Sequence, residues 1–238
     1  MNPFERTEAL IGADGLARLQ AARVILFGVG GVGSWCAEAL VRSGIGHLTL
    51  VDSDCVEPSN LNRQLMATVP NLGRPNVEAM RERLLSIHPE ADITALQQRY
   101  SAGTGPELGG YDAIIDAIDS LSDKAALILE GSAAPGRFYS SMGAARKINP
   151  TKVRVAEFWE VRGCPLGAAL RKKLRKAGTL PAKPFLCVYD EEVLNSEKGT
   201  LPHITGIFGL TLAGLVIQDL LSGSGDKFPS ADNLPTQP

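Results

Sequence analysis

The sequence predicts an α/β fold: a doubly wound sheet, mostly parallel, with antiparallel strands added in the C-terminal half. Three observations predict it. Apolar runs of strand length, such as "RVILFG" and "DAIID", suit strands buried on both faces of a parallel sheet. These runs alternate with helix-like segments between residues 20 and 145, the pattern of strand–helix–strand units. A glycine-rich turn, "GVGGVG", joins the first strand to the first long helix, as in Rossmann-like nucleotide folds.

In order, residues 1–20 read as one or two short amphipathic helices with breaks at Gly12 and Gly15. "RVILFG" is the first strand, 34–42 a helix with apolar Trp35, Ala39 and Leu40, and "HLTLVDSD" the second strand. Together they make a right-handed crossover unit. A helix follows at 77–86, a strand near "ADITALQQ", and a buried strand over 111–119 that ends in two acids. Residues 123–130 are helical and "RFYSSMGAA" is strand-like. "TKVRVAEFWEV" alternates and reads as an antiparallel strand; "PLGAALRKKLRKAG" is a basic helix; "LCVYDEEV" is the last strand. Residues 204–221, "ITGIFGLTLAGLVIQDLL", approach bilayer-spanning length. With no second such segment and Asp219 near the end, they read as a helix buried on all sides or in a subunit interface, and no integral membrane segment is expected. From Ser222 the chain is rich in Ser, Pro, Gly and Asp and reads as a disordered tail over 222–238. Residues 1–221 then form a single domain, with a nucleotide-binding half at about 20–145 and a substrate and dimer half at about 146–221.

Of the 238 residues, 44% are apolar and the formal charge is -2. That balance gives no global attraction to nucleic acid or to a membrane surface. The four cysteines include no CxxC pair, which argues against a structural tetrathiolate zinc site. "MNPFERTEAL" lacks the apolar core of a signal peptide, so a cytoplasmic protein with free thiols is expected.

Gly28, Gly30 and Gly33 form GxGxxG, with Gly31 in the same turn. The first glycine permits the turn, the second admits phosphate to the backbone, and the third packs helix on strand. Phosphate then meets the free amides of a helix N-terminus. Asp52, at the end of the next strand, is placed as the ribose acceptor. To this point NAD and ATP fit equally. "SNLNRQ" separates them: Arg63, flanked by Asn60, Asn62 and Gln64, has no role beside a nicotinamide dinucleotide. Attack of a carboxylate on the α-phosphate of ATP, by contrast, builds charge on the oxygens between phosphates, where a planar guanidinium and amide donors act best.

"GVGGVGSW", "VDSDCVEPSNLNRQ", "GRPNVEAM" and "DAIDS", in that order, resemble the ThiF/MoeB/HesA adenylyltransferases, bacterial relatives of ubiquitin-activating enzymes. The resemblance covers residues 1 to about 145. It implies a ThiF-type adenylating domain using ATP and Mg2+, and a homodimer. It implies that Asp52 holds the ribose and Arg63 the phosphates. Asp119 would coordinate magnesium and orient the phosphates, and Arg6 would reach the triphosphate of the other subunit. One departure stands out: the family usually has a lysine, a major phosphate contact, where this chain has Asn76. Arg74 or Lys124 would supply the missing cation, or the chain binds nucleotide weakly.

The second half, "CPLGAALRKKLRK", "FLCVYDEE" and "GIFGLTLAGLVI", resembles more loosely the tRNA threonylcarbamoyladenosine dehydratases of that family. The resemblance implies adenylation of the threonyl carboxylate of a tRNA nucleoside, then ring closure by its own carbamoyl group. That step needs positioning rather than a thiol or a catalytic histidine. Arg171, Lys172, Lys173, Arg175 and Lys176 are the candidate RNA contacts, and Arg146, Lys147, Lys152 and Arg154 add basic character. The alternatives are activation of the C-terminus of a ubiquitin-like sulfur-carrier protein, with a carrier or sulfur-transfer partner and a working thiol, or a weakly active relative without the phosphate lysine. Cys164, in a basic loop, reads as more exposed than Cys187.

Overall fold

The computed structural model describes residues 3–222. Of the expected tail, only Ser222 is among them, and it closes the last helix; the rest lies outside the described residues.

Helix α1 (Glu5–Ala21) contains one non-helical residue, Gly12, at φ 77°. The expected second break at Gly15 does not occur. Gly15 is buried in the helix, and an added Cβ would sit 3.2 Å from Leu221, so this glycine serves close packing rather than a turn. The central unit follows as β1 (Arg23–Phe27), α2 (Gly33–Arg42) and β2 (His47–Val51). Then come α3 (Asn76–Ile87), β3 (Asp92–Leu96), β4 (Ala113–Asp116), α4 (Leu121–Ala133) and β5 (Arg137–Ser141). The C-terminal half supplies β6 (Val153–Glu157), α5 (Pro165–Ala177), β7 (Leu186–Asp190) and α6 (Pro202–Ser222).

The seven strands form one sheet in the order β3-β2-β1-β4-β5-β7-β6. Every pairing is parallel except β6–β7, where Val155 faces Val188. The expected antiparallel addition is thus one edge strand, because β7 runs parallel to β5. β1 shows why its sequence is unbroken apolar. Val24 and Leu26 face a core shared with α2, α3 and α6, while Ile25 and Phe27 face a second core shared with α4 and α5. Alternate residues of one strand thus fill both layers.

α6 is long and apolar enough to cross a membrane by length and composition. Here it lies along α2, burying Ile204, Phe208, Leu212 and Val216. Gly209 allows the approach: a Cβ there would lie 2.4 Å from the Val32 carbonyl oxygen. The helix is not buried on every side, since Leu210 is 49% exposed; it is a one-faced helix with an unusually apolar outer surface.

Candidate nucleotide-binding site

A cavity of about 1280 Å³ opens at the carboxyl ends of the central strands, lined by Gly28, Gly30, Gly31, Asp52, Asn60, Asn62, Arg63, Gln64, Asn76 and Asp119. β1 lies between β2 and β4, so the cavity sits where the winding of the sheet reverses, the usual ligand crevice of such folds. Most of the predicted nucleotide residues are therefore brought to one opening.

The glycine turn is built for close approach. Gly28 has φ 85°, and a Cβ on it would lie 2.7 Å from the Ala117 carbonyl oxygen. A Cβ on Gly33 would lie 1.8 Å from the Gly28 carbonyl oxygen, so only glycine lets α2 start against β1. At Gly31 an added Cβ would meet Thr205 Cγ2 at 3.1 Å and the stem of Arg63, whose Cγ lies at 3.2 Å.

Asp52 accepts hydrogen bonds from the backbone amides of Val29, at 2.6 Å, and Asp54, at 2.8 Å. Burial pushes its carboxyl above the usual aspartate range, while those amides and the Asn76 side chain pull it down. Two buried acceptors, Gln64 Oε1 and Asn76 Oδ1, have no hydrogen-bond donor among the described residues. Orphaned acceptors in a cavity fit a ligand that brings hydroxyl or amino donors, as a nucleoside does.

"SNLNRQ" folds over the cavity rim, tied at three points. Trp35 Nε1 donates to the Arg63 carbonyl at 3.1 Å, Leu65 N donates to Ser34 Oγ at 3.2 Å, and Asn62 Nδ2 donates to the Thr200 carbonyl at 3.1 Å. Asn60 Oδ1 accepts from Glu57 N at 2.9 Å. Asn62 thus spends its donor on the loop, where the sequence suggested a phosphate donor, whereas Asn60 is engaged through its oxygen and its Nδ2 makes no hydrogen bond with the described residues. Arg63 Nη1 donates to the Ser59 carbonyl at 2.7 Å and to Asn62 Oδ1 at 2.9 Å. Its Nε and Nη2 remain without hydrogen bonds among the described residues, an aimed half-guanidinium.

Asp119 lies beyond the end of β4, which stops at Asp116, so the expected strand over 111–119 is shorter and Asp119 sits in the following turn. It is exposed on the cavity and makes no side-chain hydrogen bond with the described residues. No group of three or more His, Cys, Asp or Glu side chains able to hold a metal occurs among the described residues. Magnesium bound to phosphate oxygens needs only one or two protein carboxylates, and Asp119 fits that arrangement.

Neither expected substitute for the missing lysine reaches the cavity. Arg74 bonds Asn71 Oδ1 at 2.9 Å and Glu82 Oε2 at 2.6 Å. Lys124 is fully buried against Asp116, at 2.8 Å, and donates to the Ile118 carbonyl at 3.0 Å. Asp116 also accepts from Ser140 Oγ at 2.7 Å and Ile118 N at 3.1 Å. Burial pushes its carboxyl upward against the pull of Lys124. This pair grips both polar backbone groups of Ile118 and so holds the turn that carries Asp119.

Arg6 is exposed in the first turn of α1 and does not line the cavity of its own subunit. In α5 the buried face is Gly167, Leu170 and Leu174; Lys172, Lys173, Arg175 and Lys176 are exposed. Arg171 is held by the Phe158 carbonyl at 3.1 Å, and Arg175 stacks 5.0 Å from the Trp159 ring centroid. Lys147 proves to be buried rather than a surface cation. Cys164 is 2% exposed and Cys187 is fully buried, so the reading of Cys164 as the exposed thiol does not hold; burial also pushes the Cys187 thiol well up. Arg99, Arg146 and Lys198 line the cavity although no motif marks them. They arrive from separate loops, and only the fold brings them together.

The model of the ThiF family matches residues 4–133. A tRNA threonylcarbamoyladenosine dehydratase of Bacillus subtilis (strain 168) is 37% identical over 242 residues, covering 93% of this chain and 95% of the relative. One from Escherichia coli (strain K12) is 38% identical over 174 residues, 72% of this chain and 65% of the relative. The crystal structure of the E. coli dehydratase TcdA in complex with ATP superposes with a TM-score of 0.84 at 31% identity, covering 92% of this chain and 94% of that one. Its complex with AMP gives 0.85 at 32% identity, with the same coverage of 92% and 94%. With more than half of its length matched by the family model, and its glycine turn, Asp52 and arginine loop gathered on one crevice, this chain belongs to the ThiF family.

Proposed function

We propose that the chain is an ATP-dependent adenylating enzyme of the tRNA threonylcarbamoyladenosine dehydratase type, acting in the cytoplasm as a homodimer. The observation that carries this reading is the cavity itself. The free half of the Arg63 guanidinium and the Asp119 carboxylate share one opening with the Gly28–Gly33 turn. The likeness to ATP- and AMP-bound dehydratase structures supports it.

Asp52, with the orphaned acceptors of Gln64 and Asn76, receives the nucleoside, and the glycine turn and the α2 amides receive the α-phosphate. The threonyl carboxylate attacks the α-phosphorus. The bond to the bridging oxygen breaks, and pyrophosphate leaves while Arg63 stabilises its developing charge. Asp119 would hold magnesium, which would supply charge neutralisation on the phosphates. A nucleophile of the substrate's own carbamoyl group then attacks the activated acyl carbon and expels AMP. One carboxylate oxygen departs in the AMP and the carbamoyl nucleophile gives up its proton to solvent, so, counted from the free acid, the nucleoside loses one water. The protein supplies positioning for this closure, and the burial of Cys164 and Cys187 speaks against the thiol that sulfur-carrier activation calls for. Pro165 and Leu166 line the cavity, so α5 leads outward from it. Lys172, Lys173, Arg175 and Lys176 then lie where an RNA backbone tracks. Arg6 serves the neighbouring subunit's triphosphate.

Mass spectrometry of tRNA nucleosides from a strain lacking the protein tests this. The expected result is threonylcarbamoyladenosine heavier by one water than in the parent strain, together with pyrophosphate release by the purified protein that tRNA stimulates. An unchanged nucleoside, or release stimulated only by a carrier protein with a Gly-Gly tail, overturns it.

A further inference from the structure

We propose that Arg146 supplies the triphosphate cation that Asn76 does not, an inference that rests on the adenylating reading above. Asn76 is uncharged, and its side chain lies beside Asp52, whose carboxyl it helps to pull down. Arg74 and Lys124 are bound elsewhere. Of the other cations on the cavity, Arg99 is paired with Asp123 at 2.8 Å. Lys147 is buried and donates to the carbonyls of Asp190, at 2.8 Å, and Glu192, at 2.5 Å. Arg146 lines the same cavity, and its guanidinium has no hydrogen bond or ion pair among the described residues. Lys198 is also unpaired, but it is an exposed side chain in a bend.

The backbone of Arg146 is fixed on both sides. Its amide donates to the Gly199 carbonyl at 2.8 Å, and its carbonyl accepts from Leu194 N at 2.9 Å. Gly199 precedes Thr200, whose carbonyl holds Asn62, the neighbour of Arg63. Two hydrogen bonds and the Gly199–Thr200 peptide unit therefore join Arg146 to the loop that carries Arg63. Arg146 is also the one non-glycine among the described residues with positive φ, at 60°. Glycine or asparagine takes that conformation with less strain, and strain held in place by flanking bonds is typical of a position kept for its side chain.

Calorimetry on the full chain with magnesium-ATP and with AMP tests the assignment. Arg146→Asn suits the backbone, so its melting temperature is expected to be unchanged or higher. ATP affinity is expected to fall ~ten- to hundredfold, the effect of one charge-assisted contact, with AMP affinity unchanged because AMP lacks the outer phosphates. Asn76→Lys in the Arg146→Asn background is expected to raise ATP affinity above that of Arg146→Asn alone without a matching rise in AMP affinity, a non-additive pair. Arg146→Asn binding ATP like the wild type, losing ATP and AMP equally, or changing only the KM for tRNA overturns the proposal. A wild-type chain that binds neither nucleotide removes the adenylating reading itself, and this inference with it.

Discussion

Arg63 shows how one side chain divides its work. One nitrogen anchors its own loop through the Ser59 carbonyl and Asn62, which fixes the plane of the guanidinium before any ligand arrives. On the proposed adenylating reading the remaining donors would act where charge develops, and such donors are worth about 10²–10³ in kcat. Arg63→Ala is expected to lower tRNA-stimulated pyrophosphate release by roughly that factor with a much smaller change in AMP affinity, measured by single-turnover kinetics and calorimetry. Asp52 has a different signature. Its carboxyl is raised chiefly by burial above the ordinary 3.8, so on acidification it protonates earlier than an exposed aspartate and, on the proposed reading, would stop accepting ribose hydroxyls. Nucleotide affinity should therefore fall with decreasing pH from a point above the usual aspartate range. Asp52→Asn should bind more weakly and show no such fall, as titration calorimetry across pH would reveal.

Elements rather than residues place Asp119. β4 ends at Asp116, and the buried Asp116–Lys124 pair clamps Ile118 between strand and α4. Removing one partner of a buried pair leaves an uncompensated charge, so Lys124→Met is expected to cost about 3–5 kcal/mol of stability, read from urea denaturation. A second clamp lies at the end of β7. Glu192 accepts from the amides of Ile148 and Asn149 at 2.6 and 2.9 Å, and those bonds bring its carboxyl from 4.5 to about 2. Because the folded-state value is depressed, its stabilisation is full above about 4.5 and is lost as the pH falls toward about 2. Thermal melts should show part of the acid destabilisation in that window disappearing in Glu192→Gln.

At the scale of the whole molecule, Arg6, which the family resemblance assigns to the triphosphate, is absent from the cavity lining of its own subunit. Arg6 stands on α1, outside its own cavity, so that role requires a second copy. Arg6→Ala and Arg63→Ala are each expected to lose most of their activity. Co-expressed, they should recover activity in mixed dimers, because one of the two sites then holds both wild-type arginines. Recovery would be absent if Arg6 acted within its own subunit or if the chain were monomeric.

The sequence by itself determined the sheet's parallel half, the glycine turn and the roles open to Asp52 and Arg63. Strand burial, helix starts and phosphate turns are set by residues close together along the chain, and apolar runs and glycine spacing register them directly. It mistook Gly15 for a break because tight packing and a turn both call for glycine, and only φ tells them apart. It placed free cations at Arg74 and Lys124 because charge is visible in a sequence and its partners are not. Tertiary structure alone decided that those two are bound by Glu82 and Asp116, that Cys164 is buried, and that Arg146 reaches the nucleotide cavity from a segment more than 80 residues beyond Arg63. Each of these depends on which distant segments meet across the sheet, where hydrogen bonds and desolvation act through space rather than along the chain.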